Sequence, residues 1–526
     1  MAYQPNILRG TQDSGTLRAV PVTAEGHLEV AIHGPRLPFG EIEVGQLDPV
    51  FQSDAVYGIN TSEVVASTDG AAGTATAASN LYSVGTGGTT AGYFGSLQSR
   101  KRLRYRSGQG VVSRFTMLFS AGIANNIQVV GVGTGETTFG FGYNGTAFGI
   151  LHSTGGVRSY NTLTISAGSS TSTTATVTLD GVAYAGIAVT NGSATLTAHE
   201  IAQGTYSGWT CEQRGATVIF LSNAVGVKAG AYSVAFAAGT GAGTFPGTAT
   251  LPGVAATNNW IAQADWNGDV CDGTGSANNS SGFNLVKTYG NVGEISIQYL
   301  GFGSVVFKIE AAAAGNNPDF INVHTLRFPN SQTTTSVSQP SFPFLMSTYN
   351  TGTASGAITT KCGSFAGFIA GIKKLTGPRM TYFNTSATSS STSAYTPIFT
   401  IRNSRIFAGR ANQGVINLLS ASGAAKSTTG LTTFYLIRNA TLSAGTPNFG
   451  QFATTSLSYL DEGATACTFA TNDQVVWSTT VAESASFVFS FTDEITLQPG
   501  ETMTLAVRSV TATATCVGQI NTREDQ

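Results

Sequence analysis

The segment "YNGTAFGI", residues 143–150, places an Asn-Gly pair between two short stretches that contain aromatic residues. Asn-Gly is the strongest short-range signal for a two-residue β-hairpin turn, because both residues tolerate a positive φ. On both sides of this hairpin, period-2 alternation of apolar and polar residues recurs and amphipathic helical periods are nearly absent. The alternating segments are "HLEVAI" (27–32), "VSRFTMLF" (112–119), "EISIQYL" (294–300), "SVVFKIE" (304–310), "SFVFSF" (486–491) and "TMTLAVRS" (502–509). The sequence therefore predicts an all-β fold of β-sandwich or jelly-roll type.

A Pro-Gly pair in "ITLQPGETMTLAV", residues 495–507, predicts a further turn between two strands. The main architectural alternative is a parallel β-helix, which needs coil-length repeats stacked along the chain. No fixed period of this kind runs through the sequence, so tandem sandwiches are favoured.

Turn residues and changes of pattern divide the chain into an arm, two β domains, an insertion and a linker. Prolines punctuate residues 1–39, which we expect to form an extended N-terminal arm. We expect the first sandwich to be discontinuous, built from 40–160 and 252–330. A linker at 331–344 then precedes a C-terminal sandwich at 345–526.

The insertion, residues 161–251, has its own pattern. "TATVTLDGVAYAGIAV" predicts a hairpin that turns at Asp180-Gly181, and "WTCEQRGATVIFLS" predicts a second one that turns at Arg214-Gly215. Between them, "TAHE" (197–200) matches a capping box and predicts a short helix over "AHEIAQGTY". The insertion is therefore predicted to be a small ββαββ module.

Charge is scarce in this chain. Its 26 basic and 28 acidic residues give a net charge of −2, and only 10% of residues are charged, against roughly 25% in an ordinary globular protein. A dedicated nucleic-acid binder would carry a basic excess on at least one domain. An aromatic fraction of 10% argues against disorder. Two interpretations remain open: an extracellular-type β protein, or a subunit that buries much of its surface in an assembly.

Cysteine spacing and the length of the apolar runs indicate the compartment in which the protein is made. The 5 Cys lie far apart without a CxxC pair, which favours neither a disulfide framework nor a zinc site. "MAYQPNILRG" lacks the apolar core of a signal peptide, and no run approaches the ~18 apolar residues of a membrane span. We expect a protein made in the cytosol that does not enter a membrane.

The segment "SRKRLRYRSGQG", residues 99–110, is the only basic cluster. We call residues 100–106 the basic segment. In an extended strand its arginines would point to one face, and they are Arg100, Arg102, Arg104 and Arg106. The favoured interpretation is pairing within the fold or between subunits, since guanidinium groups fit such fixed contacts. A solvated edge strand and a nucleic-acid site are the alternatives. We expect this strand to form a hairpin with residues 111–119.

The search for chemistry gives weak candidates only. "QADWNGDVCDGTG", residues 263–275, gathers oxygen ligands that Ca²⁺ would accept. They are Asp265, Asn267, Asp269 and Asp272. The EF-hand spacing fails, because Val270 stands where the glycine belongs and Ser276 where the bidentate glutamate belongs. Such residues also build loops without metal, so no metal or cofactor is predicted.

Catalytic and sugar-binding patterns are equally weak. The 5 His are scattered, and the carboxylates Glu294, Glu310 and Asp319 are glycosidase candidates only because acidic residues are few. Possible platforms for stacking of glycan rings are Trp209, Trp260 and Trp266. Aromatic residues in a sandwich, however, belong to the core more often than to a ligand site. We predict no catalytic residue.

Six segments taken together resemble a known family. They are "LPFGEIEVGQLDPVFQSDAVYGIN" (37–60), "SRKRLRYRSGQGVVSRFTMLF" (99–119), "FGFGYNGTAFGILH" (139–152), "NNWIAQADWNGD" (258–269), "GNVGEISIQYLGFGSVVFKIE" (290–310) and "INVHTLRFPNSQTTTSVSQPSFPF" (321–344). The series resembles virion structural proteins, often called tail or fibre proteins, of tailed phages and large algal DNA viruses. The likeness covers 37–344 well and the C-terminal domain weakly. It implies a building block of the particle and carries over no catalytic residues.

The expected function is therefore that of a non-enzymatic virion structural protein in a tail, fibre or capsid-surface assembly. Its partners would be other virion proteins and further copies of itself, with a trimer as the expected form. It would be located in the virion and bind neither nucleic acid nor membrane. A host-glycan-binding adhesin is the first alternative, and a glycan depolymerase is the second.

Overall fold

A computed structural model describes residues 9–11, 17–19, 47–312, 318–371, 377–384, 387–426, 430–510 and 512–525. Strands make up 56% of the chain and helices 3%, which confirms the predicted all-β fold. No helix in the described ranges is both long and apolar enough to cross a membrane. Two short N-terminal strands, β1 (Arg9–Thr11) and β2 (Leu17–Ala19), pair antiparallel. The rest of the expected arm at 1–39 lies outside the described residues.

The first sandwich is formed on both sides of the insertion. Before the insertion its strands are β3 (Leu47–Asp54), β4 (Val64–Thr68), β5 (Thr74–Ala78), β6 (Leu81–Gly85), β7 (Phe94–Ser99), β8 (Leu103–Arg104), β9 (Gly110–Phe119), β10 (Asn126–Gly133), β11 (Thr138–Asn144) and β12 (Ala147–Thr154). The insertion contains β13 (Arg158–Ala167), β14 (Thr173–Leu179), β15 (Val182–Val189), α1 (Ala194–Ala202), β16 (Trp209–Arg214), β17 (Thr217–Val225), β18 (Ser233–Phe236) and β19 (Ala242–Thr244). After it come β20 (Thr257–Ala262), a 3-10 turn at Gln263–Asp265, β21 (Asn291–Ile297), β22 (Val305–Ala312), β23 (Pro318–Leu326), β24 (Ser341–Phe342), β25 (Phe344–Asn350), β26 (Thr359–Cys362) and β27 (Ser364–Ala370).

Two sheets make up the layers of this sandwich. The seven-stranded sheet has the order β20-β12-β11-β10-β25-β7-β4. Seven strands of the nine-stranded sheet have the order β23-β22-β21-β9-β26-β6-β5. The other two strands form a branch, in which β27 pairs with β9 and β3 pairs with β27. Aromatic rings join the layers: Phe344 and Phe365 stack with their centroids 4.0 Å apart. The predicted hairpin is present, but its two-residue turn is Gly145-Thr146 rather than Asn144-Gly145, because Asn144 pairs with Ala147 and Gly145 takes the positive φ.

The structure places the boundary after the first sandwich later than residue 345. β25 pairs with β10 and β7 in the middle of the seven-stranded sheet, and β27 pairs with β9 in the other sheet. The expected linker at 331–344 also enters the core, where Val337 is 1% exposed and Phe342 is 0% exposed. A period-2 pattern identifies a strand but not the sheet that it joins. The first sandwich therefore extends to residue 370.

The inserted module has two small sheets and one helix. Its sheets have the orders β16-β17-β13-β19 and β15-β14-β18. The hairpin β14–β15 turns at Asp180-Gly181 as predicted, and both residues have positive φ. The second hairpin, β16–β17, turns at Gly215-Ala216, one residue later than predicted, because Arg214 pairs with Thr217. A core of its own, which includes Leu163, Val177 and Phe220, lies between the sheets and α1.

The helix begins four residues earlier than the capping box predicted. Its N-cap is Ser193, whose hydroxyl accepts a hydrogen bond from the backbone N–H of Leu196 at 3.2 Å. Thr197 instead accepts a bond from the N–H of Ser169, and the Glu200 carboxylate accepts one from the N–H of Thr190. The two supposed capping residues therefore hold neighbouring loops against α1.

The C-terminal domain is a second sandwich. Its strands are β28 (Arg379–Phe383), β29 (Thr388–Ser389), β30 (Thr396–Asn403), β31 (Ile406–Phe407), β32 (Arg410–Ala411), β33 (Val415–Lys426), β34 (Thr432–Arg438), β35 (Thr441–Gly445), β36 (Gly450–Gln451), β37 (Ser458–Asp461), β38 (Ala464–Thr468), β39 (Val475–Val481), β40 (Ser486–Leu497), β41 (Thr502–Ser509) and β42 (Thr515–Asp525), with a 3-10 turn at Asn472–Gln474. A sheet ordered β28-β42-β33-β40, with β29 also on β42, faces one ordered β36-β37-β30-β41-β34-β39. Phe434 and Leu505 from one sheet share a core with Tyr382 and Ile520 from the other.

Candidate functional site

The basic segment lies where the first sandwich meets the C-terminal domain. Only β8 within it is a strand, and β8 pairs with β24 rather than forming the predicted hairpin with β9. The predicted alternation is nevertheless present from Arg102 to Arg106. Leu103 and Tyr105 are buried in the first sandwich, Lys101 is exposed, and the four arginines are partly buried.

Carboxylates of the C-terminal domain face these arginines. Arg106 forms an ion pair with Asp525, with Nη2 and Oδ2 2.6 Å apart. Arg104 lies 3.8 Å from the same carboxylate and also donates to the Asp525 backbone carbonyl. Arg100 lies 3.7 Å from Glu501. Because Asp525 and Glu501 both belong to the second sandwich, the basic segment connects the two large domains.

Arg102 faces a carboxylate of its own domain at the same interface. Burial lowers the pKa of Arg102 to about 10, and nearby Arg158 contributes in the same direction while Glu136 opposes it. Burial also raises the pKa of the Glu136 carboxyl, against the pull of Arg158 and Arg102. Gln413 of the C-terminal domain donates to Glu136 at 2.9 Å. The Arg102 guanidinium stays charged at neutral pH and is held within the interface.

A second charged interface joins the inserted module to the C-terminal domain. Glu212 on β16 accepts bonds from Arg214 at 2.7 Å and from the backbone N–H of Arg405 at 2.8 Å. It also lies 3.8 Å from Arg402. Burial alone would raise the pKa of Glu212, but the guanidinium groups of Arg402 and Arg214 hold it below its usual range. The carboxylate is therefore ionised and fixed from both domains.

Arg402 is enclosed on the other side of this second interface. Its guanidinium lies 4.0 Å from the ring centroid of Phe449, and it donates to the backbone carbonyl of Gln213 in the module. Burial lowers the pKa of Arg402 to about 10, with Glu212 opposing the shift. Removing one partner of such a buried pair leaves an uncompensated charge, which costs about 3–5 kcal/mol. These contacts therefore fix the module against the second sandwich.

The predicted oxygen-ligand loop is held together by its own hydrogen bonds. Asp269 accepts bonds from the N–H groups of Cys271 and Ser281, and Asp272 accepts one from the N–H of Thr274. Asn267 exchanges bonds with the backbone of Thr325, while Asp265 is exposed. Across the described ranges, no group of three or more His, Cys, Asp or Glu residues is placed to hold a metal ion.

The three predicted stacking residues are packed against protein. Trp209 is 7% exposed in the module core, and Trp266 is 4% exposed in the first sandwich, where it contacts Phe141. Trp260 is half-buried against a small apolar cluster of the seven-stranded sheet, on the side away from the sandwich core. The structure does not bring these residues together as one platform.

The carboxylates considered for glycoside hydrolysis do not form a catalytic pair among the described side chains. Glu294 is 2% exposed and forms ion pairs of 2.7 Å with Arg114 and with Lys308. Burial would raise the pKa of Glu294, but these two cations hold it below its usual range. An acid held ionised in this way is poorly suited to donate a proton. Glu310 is half-buried, and the side chain of Asp319 lies outside the described residues.

Sequence reasoning missed the partners of the basic segment and the whole second interface. Glu136, Glu212, Arg402 and Asp525 match no catalytic or binding motif in the sequence. One signal was available: in a chain with only 10% charged residues, a charge inside an apolar stretch needs a partner. That signal selects residues for attention, but it does not pair them.

No family model matches this chain, and no curated protein matches it.

Proposed function

We propose that the chain is a non-enzymatic structural subunit of a virus particle, of tail, fibre or capsid-surface type, and that it functions as a homo-oligomer. The resemblance of residues 37–344 to virion structural proteins suggests this class. The two charged interfaces support it, because they join three folded units into one body. A rigid multidomain body is what a particle subunit requires.

The observation that carries the proposal is the uncharged central part of a sheet face on the C-terminal domain, which Arg379, Lys426 and Arg523 border at the strand ends. Tyr382, Ala421 and Ile520 point into the core, so the residues that alternate with them on the same strands point outward. The central outward positions are Thr381, Phe383, Ser420, Ser422, Ala424, Ser486, Val488, Ser490, Val517, Gln519 and Asn521. We call this set the outer face.

The composition of the outer face fits burial against another copy of the chain. None of its residues is charged, and Phe383, Val488 and Val517 are 55%, 81% and 46% exposed. Soluble monomers normally intersperse charges on such a surface. With no charge to exclude it, the same face of a second copy is an acceptable partner.

The test is the protein composition of purified particles. Particles banded on a density gradient from a culture that carries the gene should contain the chain in many copies. Gold-labelled antibodies raised against it should mark the particle surface, and antibodies against a replication protein should not. A chain found only in the cell extract and absent from intact particles would contradict the proposal.

A glycan-binding role is the second candidate. What favours it is a polar cleft beside Tyr57, rather than the three tryptophans.

A further inference from the structure

A cleft of about 880 Å³ lies over the nine-stranded sheet of the first sandwich. Its floor crosses four adjacent strands, β3, β27, β9 and β21. The register places Gln52 opposite Ala366, and Ala366 opposite Arg114. Thr116 lies opposite Val292 in the next row. The buried rings of Phe115 and Phe365 close the floor from the core side.

Side-chain size explains why the sheet is hollow at this point. Ser364 and Ala366 on the central strand β27 are small, whereas Gln52 on one side and Arg114 on the other are long. Arg114 is held in place by its 2.7 Å bond to Glu294 and by the ring of Phe320, whose centroid is 5.2 Å away. The cleft is therefore formed by fixed side chains on rigid strands, as binding sites commonly are.

The loop between β3 and β4 supplies the rim. Tyr57 on this loop is 99% exposed and lines the cleft together with Asn60 and Glu63. Asp54 shapes the loop by accepting a bond from the N–H of Val56 at 3.0 Å. Within the described part of the chain, no hydrogen bond occupies the Tyr57 hydroxyl or the Glu63 carboxylate. These groups are free to meet a ligand.

We infer that this cleft binds an uncharged oligosaccharide. A sugar ring presents apolar C–H groups on its faces and hydroxyl groups at its edges. An exposed aromatic ring can cover such a face, while carboxylates and amides accept and donate to the hydroxyls. Tyr57 provides the ring, and Gln52, Asp54, Asn60 and Glu63 provide the polar edge.

The charges of the lining select against acidic ligands. Asp54 and Glu63 are two carboxylates, and the single cation of the lining, Arg114, is already paired with Glu294. A sialylated or sulfated glycan, or a nucleic acid, would meet net negative charge here. This inference deepens the glycan-binding role given above as the second candidate, and it does not depend on the structural role, since a particle subunit needs no ligand in this cleft.

Saturation-transfer NMR on the purified full chain provides the test. The neutral probes are maltotriose, cellotriose, mannotriose and triacetylchitotriose, and the acidic probe is 3′-sialyllactose. At least one neutral trisaccharide should receive saturation, and 3′-sialyllactose should not. Tyr57→Ala should weaken the binding of that trisaccharide roughly tenfold, because it removes the stacking surface. Tyr57→Phe should keep most of the affinity.

Control variants distinguish binding in this cleft from binding elsewhere on the protein surface. Tyr289 is another exposed tyrosine, 70% exposed and outside the cleft lining, so Tyr289→Ala should leave binding unchanged. Glu63→Lys should cancel the net negative charge of Asp54 and Glu63 and so weaken the discrimination against 3′-sialyllactose. The inference is overturned if no neutral probe receives saturation, if Tyr57→Ala binds as the parent does, or if the parent prefers the acidic probe.

Discussion

His152 shows how single residues are desolvated in this charge-poor chain. Its ring stacks on Phe139 with centroids 5.2 Å apart and also contacts Phe328. No hydrogen bond reaches its Nε2 within the described residues. Burial lowers the pKa of His152 below its ordinary value of 6.5, and the imidazole therefore stays neutral inside the first sandwich.

This lowered pKa predicts a loss of stability in mild acid. As the pH falls, the unfolded chain takes up the proton at about pH 6.5, before the folded chain does. The contribution of the neutral His152 to the unfolding free energy is therefore fully present above that pH. It falls as the pH drops from 6.5 toward the folded pKa. Denaturant unfolding at pH 7.5 and 5.5 should show this decrease. His152→Phe keeps the stacked ring without the titrating group and should reduce the decrease. An equal decrease in both proteins would contradict the assignment.

At the level of elements, local patterns predicted strands and turns well but not their partners. The β11–β12 hairpin and the two hairpins of the module follow from turn chemistry that acts over a few residues. The start of α1 was misplaced, because Thr197 and Glu200 match a capping box by spacing while their side chains contact other loops. The sheet joined by β25 depends on residues more than 200 positions away, which alternation does not encode.

The outer face yields a prediction for the element β40. Val488 on this strand is 81% exposed, so Val488→Lys should leave the unfolding free energy within about 0.5 kcal/mol of the parent. A lysine on the outer face should nevertheless prevent burial against a second copy. Light scattering is expected to give an oligomer for the parent and a monomer for Val488→Lys.

The control for this prediction is a valine of similar exposure elsewhere. Val227 in the inserted module is 67% exposed, and Val227→Lys should remain oligomeric. A parent chain that is itself monomeric, or a Val488→Lys chain with the parent's mass, would argue against the outer face as the contact.

For the whole molecule, ion pairs connect the folded units: Arg100, Arg104 and Arg106 of the first sandwich and Glu212 of the module each pair with the C-terminal domain. Alternation along residues 100–106 predicted which side chains share a side, and the low overall charge predicted that they would need partners. It did not predict that these would be Glu501 and Asp525, about 400 residues along the chain. Only the packing of one sandwich against the other brings them together.

The most direct test of this organisation is a double-mutant cycle between Arg106 and Asp525, whose side chains are 15% and 11% exposed. Unfolding free energies would be measured for the parent, Arg106→Ala, Asp525→Ala and the double variant. The interface predicts a coupling of about 1–3 kcal/mol, because Asp525→Ala strands the partly buried charge of Arg106, whereas Arg106→Ala leaves Asp525 with its 3.8 Å contact to Arg104 only. Effects that add to within about 0.3 kcal/mol would show that the two residues do not interact, and would contradict this ion pair as a connection between the two sandwiches.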